Sequence, residues 1–570
     1  VALIFLCSHI VLATPLHDRV SSLPVWQSLI HSSSGEPQLG DPTFLLSVSN
    51  FSASHELKMT LKLIESDVDS AYCRFPARTV FLKHVLQLDI PKLDASLPAC
   101  PELEKYIQHV PFEQLELVFA SEIFSSATSM MGHIFLKADG KNFRNTKVSH
   151  SLAYFTEITT LNPAKLISES LITGMSGFFT VRPFSKDIEQ YLEKEKRNLW
   201  QFRLRGSDFH KRLLQLHLWE LKGAKLTYYF QSYNCATLTL ELISILEPKV
   251  MEEQKLFVSP VDVVKAVIKH DLVEQTEVMA SPKWLLNSIE GALSKDELDS
   301  IKPWLNDQET SDLNSLTSLS QQYLSLAIPD SYTENGGMRN FNIDLSDYKH
   351  PANTPQDSAI GFSVFKSKSD RVLGFNFLSS GHYLYGDNRQ YLYESELVLG
   401  KVSGSLSIDS NDIDIQEATI YSVKNLTPTS QFNPSWSSEF YFGLRPSYTD
   451  ELKFKSLAEL SFGLGKSKKL HRDILGYLHV VGGLTSNIKN QEWFTQIKSG
   501  VVLNLINDSK LTSELRWGTG KWSKSRSMFE IETILSWFPS TDKSVSAISR
   551  FSKNSEKRYH SLGIEYNHYF

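Results

Sequence analysis

The spacing of apolar residues changes character twice along the 570-residue chain. Residues 1–13, VALIFLCSHIVLA, are a short apolar run ahead of Thr14-Pro15, with Val11 and Ala13 at small-residue positions before a cleavage point. That pattern predicts a secretory leader, with a buried N-terminal strand as the alternative. Residues 14–112 are predicted to form a mainly helical N-terminal cap domain, opening on Val25, Trp26, Leu29 and Ile30 at helical spacing. Both periods occur across residues 113–250. ELVFASE, HIFLKAD and HSLAYFTEI read as strands, whereas DIEQYLEKEKRNLWQFRL and SDFHKRLLQLHLWELKG read as helices, the latter capped by Ser207 or Asp208. A further helix is predicted to begin near Tyr233-Asn234-Cys235 and to run through Leu238, Leu242, Ile243 and Leu246 to Pro248. Residues 251–330 read as a helical extension, with Ser259-Pro260 as cap and first position and Val261, Val264, Val267 and Ile268 on one face. Residues 331–357 read as a linker.

From Ser358 onward no convincing helix remains. Short segments rich in Tyr, Phe, Val and Leu alternate with Gly, Ser, Asn, Asp and Lys turns. In MFEIETILSW, Phe529, Ile531, Thr533, Leu535 and Trp537 fall on one face and Glu530 and Glu532 on the other. Leu562, Ile564, Tyr566 and Phe570 likewise share a face. A barrel in lipid needs an apolar outer face and tolerates a polar interior. Residues 358–570 number 213, and at roughly 16–18 residues per strand plus turn they predict an antiparallel transmembrane-type β-barrel of about twelve strands. A soluble β-sandwich or lipocalin-like barrel is the alternative.

Composition narrows the function classes. Lys+Arg 58 against Asp+Glu 64 gives a net charge of −6, so no basic excess is available to neutralise phosphates and no nucleic-acid partner is expected. No apolar run reaches the roughly 18–20 residues of a membrane-spanning helix. Mean hydropathy is −0.21, which a barrel with a polar lumen accommodates.

The four cysteines are few enough to consider singly. Cys7 lies in the leader and lacks the preceding small residue of a lipobox. Cys73 and Cys100 lie 27 residues apart in one small domain, and in an oxidising compartment they most simply form a disulfide, with two separate buried thiols as the alternative. Cys235 is then the one cysteine of the mature chain outside a disulfide. A thiol becomes a nucleophile when an imidazole and a helix N-terminus stabilise its thiolate. Cys235 stands at a predicted helix start, and His133 at the start of a predicted strand, a rigid mount for a general base. On spacing alone a small core cysteine and a structural histidine are the commoner readings. His217 and Glu220, at i and i+3, could suggest half a metal site. No second pair completes it, so they read as helix-packing and polar-anchor residues, and no metal or cofactor is expected.

Five motifs recur in order between Ser126 and Glu247: SMMGHIFL (Ser129 to Leu136), Gly174-Met175-Ser176-Gly177, Arg197-Asn198-Leu199-Trp200, His217-Leu218-Trp219-Glu220-Leu221 and Asn234-Cys235. This stretch resembles the periplasmic domain of the Lnb-type lipoprotein N-acyltransferase family, which is similar to the circularly permuted papain-like NlpC superfamily. CRFPAR with ACPEL resembles that family's preceding cap domain, and the C-terminal region, ending on an aromatic residue, resembles bacterial outer-membrane barrels. The resemblance implies an α+β permuted papain-like catalytic domain over residues 113–250. It implies Cys235 as nucleophile and His133 as general base and later acid. A third polar group would hold the imidazole by triad logic, and it falls to His150 or to its rival Ser151 on the following strand. Substrate contacts fall to Tyr233, Asn234, Ser129, Gly132, Gly174 and Gly177. The loop from Gly174 to Gly177 is short and is followed by Phe178-Phe179, which puts substrate preference in doubt more than the catalytic pair.

The activity so implied is a Gram-negative outer-membrane enzyme with its catalytic domain facing the periplasm. It would move a fatty acyl chain from a phospholipid or lipoprotein donor, through a Cys235 thioester, to a lipoprotein N-terminal amine. An NlpC-like amidase or peptidase on cell-wall peptides uses the same pair. A non-enzymatic barrel with a periplasmic scaffold is the third reading.

Overall fold

The computed structural model describes residues 16–33, 35–90, 100–122, 131–156, 165, 169, 173–229, 232–255, 257–306, 315–328, 349–367, 371–430, 434–448, 454–486, 491–518, 528–554 and 557–570. The predicted leader, Ser129 and residues 331–348 of the predicted linker lie outside the described residues. The chain divides into two compact units. One comprises Val1–Phe119, His133–Gln190 and Trp200–Met279; the other comprises Ala120–Gly132, Tyr191–Leu199 and Ala280–Phe570.

The first unit begins with helices Leu16–Ser21, Pro24–Leu29, Ala53–Ser66, Val68–Arg74, Pro76–Leu86 and Pro101–His109. Ser52 and Asp67 cap two of them by accepting from backbone N–H groups three residues on. Such caps satisfy donors that the helix itself leaves orphaned. A disulfide joins Cys73 to Cys100, with Cα atoms 5.6 Å apart, within the span such a bridge allows.

A seven-stranded sheet follows, in the order Leu226–Tyr228, Met175–Pro183, Lys147–Thr156, His133–Lys141, Gln114–Ala120, Leu199–Leu204 and Val273–Met279. The strands carrying ELVFASE, HIFLKAD and HSLAYFTEI sit side by side near its middle. Two expectations are corrected. LWQFRL, expected to continue a helix, is the strand Leu199–Leu204, and only a short helix at Ser185–Asp187 and a π-turn at Ile188–Lys194 precede it. Five of its six residues are buried because the strand lies between two others, and burial on both faces erases the period of two. Likewise Val273–Met279, inside the predicted helical extension, is a strand at the sheet edge. Helices Asp208–Glu220 and Pro260–Lys269 form as expected, capped by Ser207 and by a capping box of Ser259 and Asp262.

The second unit contains helices Pro282–Ala292, Lys295–Leu305 and Ser318–Ala327, which share a small core of Ile289, Ile301, Tyr323 and Leu324. Asn287 Nδ2 donates to Tyr393 Oη at 2.6 Å. The last part of the predicted linker carries a 3-10 turn, Pro351–Asn353, with Pro351 and Thr354 buried. Twelve antiparallel strands then form a closed barrel, from Ala359–Ser367 to Arg558–Tyr569, and those two strands pair to close it. The count matches the arithmetic of length. The pattern is inside-out relative to a soluble core. Phe362, Ile415, Trp493, Trp537 and Ile564 are more than half exposed, whereas Glu439, Lys498, Glu514 and Asn567 are buried. Such alternation is what a lipid-facing exterior and a polar lumen require.

The lumen holds a cavity of about 1170 Å³ lined in part by Asn376, Tyr383, Tyr385, Lys401 and Arg516. Beside it a charged cluster lines a second, smaller cavity of about 120 Å³. Lys424 Nζ donates to Glu514 at 2.5 Å, Tyr477 Oη donates to the same carboxylate at 2.6 Å, and Lys498 pairs with Glu439. Burying these charges is tolerated because each is paired and hydrogen-bonded.

Candidate active site

Cys235 is the first residue of helix Cys235–Ile243 and is a buried thiol outside any disulfide. The local sequence explains the helix start. Asn234 is extended (φ −119°, ψ −170°), and its Oδ1 accepts from Ala236 N at 2.8 Å and Thr237 N at 3.1 Å. Its Nδ2 donates to Val258 O at 3.1 Å. Asn234 was expected to contact substrate; the structure gives it the work of capping the helix that carries Cys235. The helix is buried along its whole length and packs on the strands His133–Lys141 and Lys147–Thr156.

His133 opens its strand directly after Gly132, whose φ of +81° only glycine adopts readily and which turns the chain sharply into the sheet. Its ring stacks on Phe155, centroids 5.0 Å apart. Cross-strand register pairs Leu136 with Leu152 and Ala138 with His150. Continuing that register sets His133 opposite Phe155. His150 therefore lies five residues along the strand, about 16 Å away at the usual rise. Its neighbours are His109 and Asp139, and burial depresses its imidazole below the usual range. Ser151 is buried opposite Lys137, four residues from Phe155. The structure brings neither to His133.

A cluster of tyrosines lies within electrostatic reach of Cys235. Tyr154 follows the alternation of its strand to the face opposite Phe155, where its ring meets Tyr228 at 5.5 Å and Tyr233 at 6.4 Å. Burial raises the Tyr154 and Tyr228 phenols, and negative charge on Cys235 raises both further. Both therefore stand within electrostatic reach of the thiol as neutral hydroxyls. Tyr154 was not singled out from the sequence; its place one residue before Phe155 on the histidine-facing strand was the available signal.

The two motif glycines act sterically. A Cβ on Gly177 would overlap the Tyr154 phenol, and one on Gly174 would overlap Thr227 and crowd Tyr229. Gly174 also has φ +79°. Tyr233 Oη donates to Glu241 at 2.8 Å, so its hydroxyl is engaged inside the protein. Arg197 of the Arg-Asn-Leu-Trp motif is buried and donates to Ala120 O at 2.7 Å and Ser121 O at 2.5 Å, ordering the chain beyond a strand end. His217 and Glu220 contact His31 and Arg78, consistent with polar anchoring. No group of three or more metal-ligating side chains occurs among the described residues.

Comparison with known proteins gives three family matches along the chain. Residues 102–270 match the family described as the Lnb N-terminal periplasmic domain. Residues 18–85 and 350–569 match two domains of unknown function, DUF7843 and DUF7840. No curated protein matches the chain. Among solved structures, the COG4313 outer membrane channel from Pseudomonas putida F1 is 11% identical, covering 40% of this chain and 100% of its own, with a TM-score of 0.27. The KdgM porin is 10% identical over 37% of this chain and 99% of its own, with a TM-score of 0.23. The transport unit of the autotransporter AIDA-I from Escherichia coli is 13% identical over 40% and 94%, with a TM-score of 0.21. The chain thus carries a segment similar to the Lnb N-terminal periplasmic domain, followed by a closed twelve-stranded antiparallel barrel.

Proposed function

We propose that the protein is a cysteine acyltransferase anchored by its barrel in the outer membrane, with Cys235 as nucleophile and the catalytic unit in the periplasm. The observation that carries this reading is a reduced, buried thiol at the capped start of a helix packed on the strand that His133 opens, within the segment matching the Lnb domain. A helix N-terminus favours thiolate, and an imidazole supplies the base.

His133 takes the Cys235 proton as Sγ attacks the carbonyl carbon of a phospholipid or lipoprotein ester. The carbonyl π bond becomes an oxyanion, which the backbone N–H of Cys235, at the first helical position, would receive. The oxyanion collapses and the C–O bond breaks. The leaving alkoxide takes the proton from His133, and the acyl group remains on Sγ as a thioester. The amine of a lipoprotein N-terminus then attacks the thioester. His133 removes the amine's proton, the C–S bond breaks, and the proton returns to sulfur. An amide is formed and the enzyme is regenerated. Tyr154 and Tyr228 stand within electrostatic reach of the thiol as neutral hydroxyls.

The test is mass spectrometry of the full chain incubated with phospholipid vesicles. The expected result is an acyl adduct on the Cys235 peptide, absent from Cys235→Ala, and N-acylated lipoprotein only in strains with the wild-type protein. Altered muropeptides with unaltered lipoproteins would favour the amidase reading. No adduct and no change in either would favour the scaffold.

A further inference from the structure

A chain of buried polar groups runs through the first unit and ends two residues before the thiol. Glu56 accepts from Leu46 N and Ser47 N and pairs with Arg78 Nη1 at 3.0 Å. Glu220 accepts from Arg78 N at 3.0 Å, and its other oxygen lies 3.3 Å from Arg78 Nε. His217 Nδ1 meets Glu220 at 3.1 Å, and His217 Nε2 meets His31 Nε2 at 2.9 Å. His31 Nδ1 meets Glu241 Oε2 at 2.5 Å, and the same oxygen accepts from Tyr233 Oη. Each of these seven side chains is buried, and Phe44 lies against His31, His217 and the Arg78 guanidinium.

Burying so many ionisable groups is costly unless every one is satisfied. Here the groups are paired in series, so one group's proton decides the next group's role. With Glu220 protonated, its O–H donates to His217 Nδ1, His217 Nε2–H donates to His31 Nε2, and His31 Nδ1–H donates to the Glu241 carboxylate. With Glu220 ionised, the same number of protons shifts one place along. His217 Nδ1–H then donates to Glu220, and His217 Nε2 accepts from His31 Nε2–H. In both arrangements Glu241 keeps its two donors, Tyr233 and His31. Glu241 is an acidic residue in the otherwise apolar-and-threonine helix CATLTLELI, eight residues from Tyr233.

We propose that His31, contributed by the N-terminal segment, is a positioning residue for Cys235: through Glu241 it fixes Tyr233 and so the geometry with which Asn234 and Cys235 enter the helix. The backbone reinforces that fix, because Tyr233 N and O both bond to Tyr229, at 3.2 and 2.9 Å. The inference rests on Cys235 being the nucleophile only for its biological meaning; the clamp itself is testable on the thiol.

The experiment is a double-mutant cycle on the full chain in detergent micelles, with iodoacetamide as probe. The readout is the pH midpoint of alkylation of the Cys235 peptide. His31→Asn and Tyr233→Phe are each expected to raise the midpoint by at least half a unit and to slow alkylation at pH 7 at least threefold. The double variant is expected to move it no further than the larger single, since both act through Glu241. Independent structural effects would add, and additivity, or an unmoved midpoint, overturns the clamp. If His31→Asn does not fold by circular dichroism, Tyr233→Phe with Glu241→Gln forms the same cycle. Acyl transfer is assayed on the same samples. A wild-type thiol with coupled midpoints but no transfer would sink the proposed activity and leave the clamp standing.

Discussion

Gly177 lies against the Tyr154 phenol so closely that no side chain fits between them. The strand Met175–Pro183 thereby approaches Lys147–Thr156 at the level where Tyr154 faces Tyr228 and Tyr233. Gly177→Ala is expected to destabilise the first unit by about 2 kcal/mol, the usual scale of overpacking. Urea unfolding followed by tryptophan fluorescence measures it. Adding Tyr154→Phe removes the phenol oxygen, the nearest obstacle, and is expected to restore part of the loss. An additive double variant would show that the contact is not the cause.

The cap of the Cys235 helix is a second lever. Asn234→Ala removes the acceptor for Ala236 and Thr237 N–H, which typically costs about 1 kcal/mol. Asn234→Ser, which retains a capping oxygen, is expected to keep most of that stability. Thermal unfolding of the three proteins side by side decides the matter.

Glu220 gives a pH signature. Burial pushes its carboxyl up to about 7 from 4.5, against the pull of Arg78 and of the Arg78 and Ala77 backbone N–H groups, with His31 a smaller influence. Burial also holds the neighbouring His217 imidazole well below its ordinary value. A carboxyl with a raised folded-state pKa adds stability below its unfolded value and loses it as pH rises through the folded value. The window is pH 4.5 to 7, and the full swing is on the order of 3 kcal/mol. Glu220→Gln lacks this dependence. Its stability relative to wild type is therefore expected to rise with pH across the window and to level off above it. Denaturant midpoints at four or five pH values test the sign, and a flat difference would contradict it.

The disulfide closes a separation of 27 residues, for which chain entropy predicts about 3.5 kcal/mol. Cys73→Ser with Cys100→Ser is expected to lower the unfolding free energy of the first unit on that scale. Barrel content, followed by heat-modifiable gel mobility, is expected to be unaffected.

Inside the barrel, the cluster of Lys424, Glu439, Lys498 and Glu514 predicts a lumen that does not conduct. Reconstituted in planar bilayers, the wild-type chain is expected to give no sustained current, and replacing all four residues by serine is expected to open one. Steady conductance from the wild type would refute the closed interior.

Much of this architecture was legible in the chain. Twelve strands followed from the length of the C-terminal segment because each strand has an apolar exposed face and a polar inner face, which preserves alternation. Ser207 and Ser259 announced their helices, and the two cysteines of the N-terminal domain announced their bond. Leu199–Leu204 was illegible because both its faces are covered, and Val273–Met279 because it follows a strongly patterned helix. The link from His31 to Glu241 spans 210 residues and leaves no local trace beyond a carboxylate in a leucine-rich helix. The resemblance left His150 or its rival Ser151 for a third group, and only register shows how far along the strand each lies.

The seam between Ala359–Ser367 and Arg558–Tyr569 imposes an order of birth on the molecule. A ribosome must finish the twelfth strand before the first can lose its bare edge. The thiol-bearing unit ends at Met279, so it is fully synthesised while nearly three hundred residues are still to come. The thiol-bearing unit has no such dependence on the last strand of the chain.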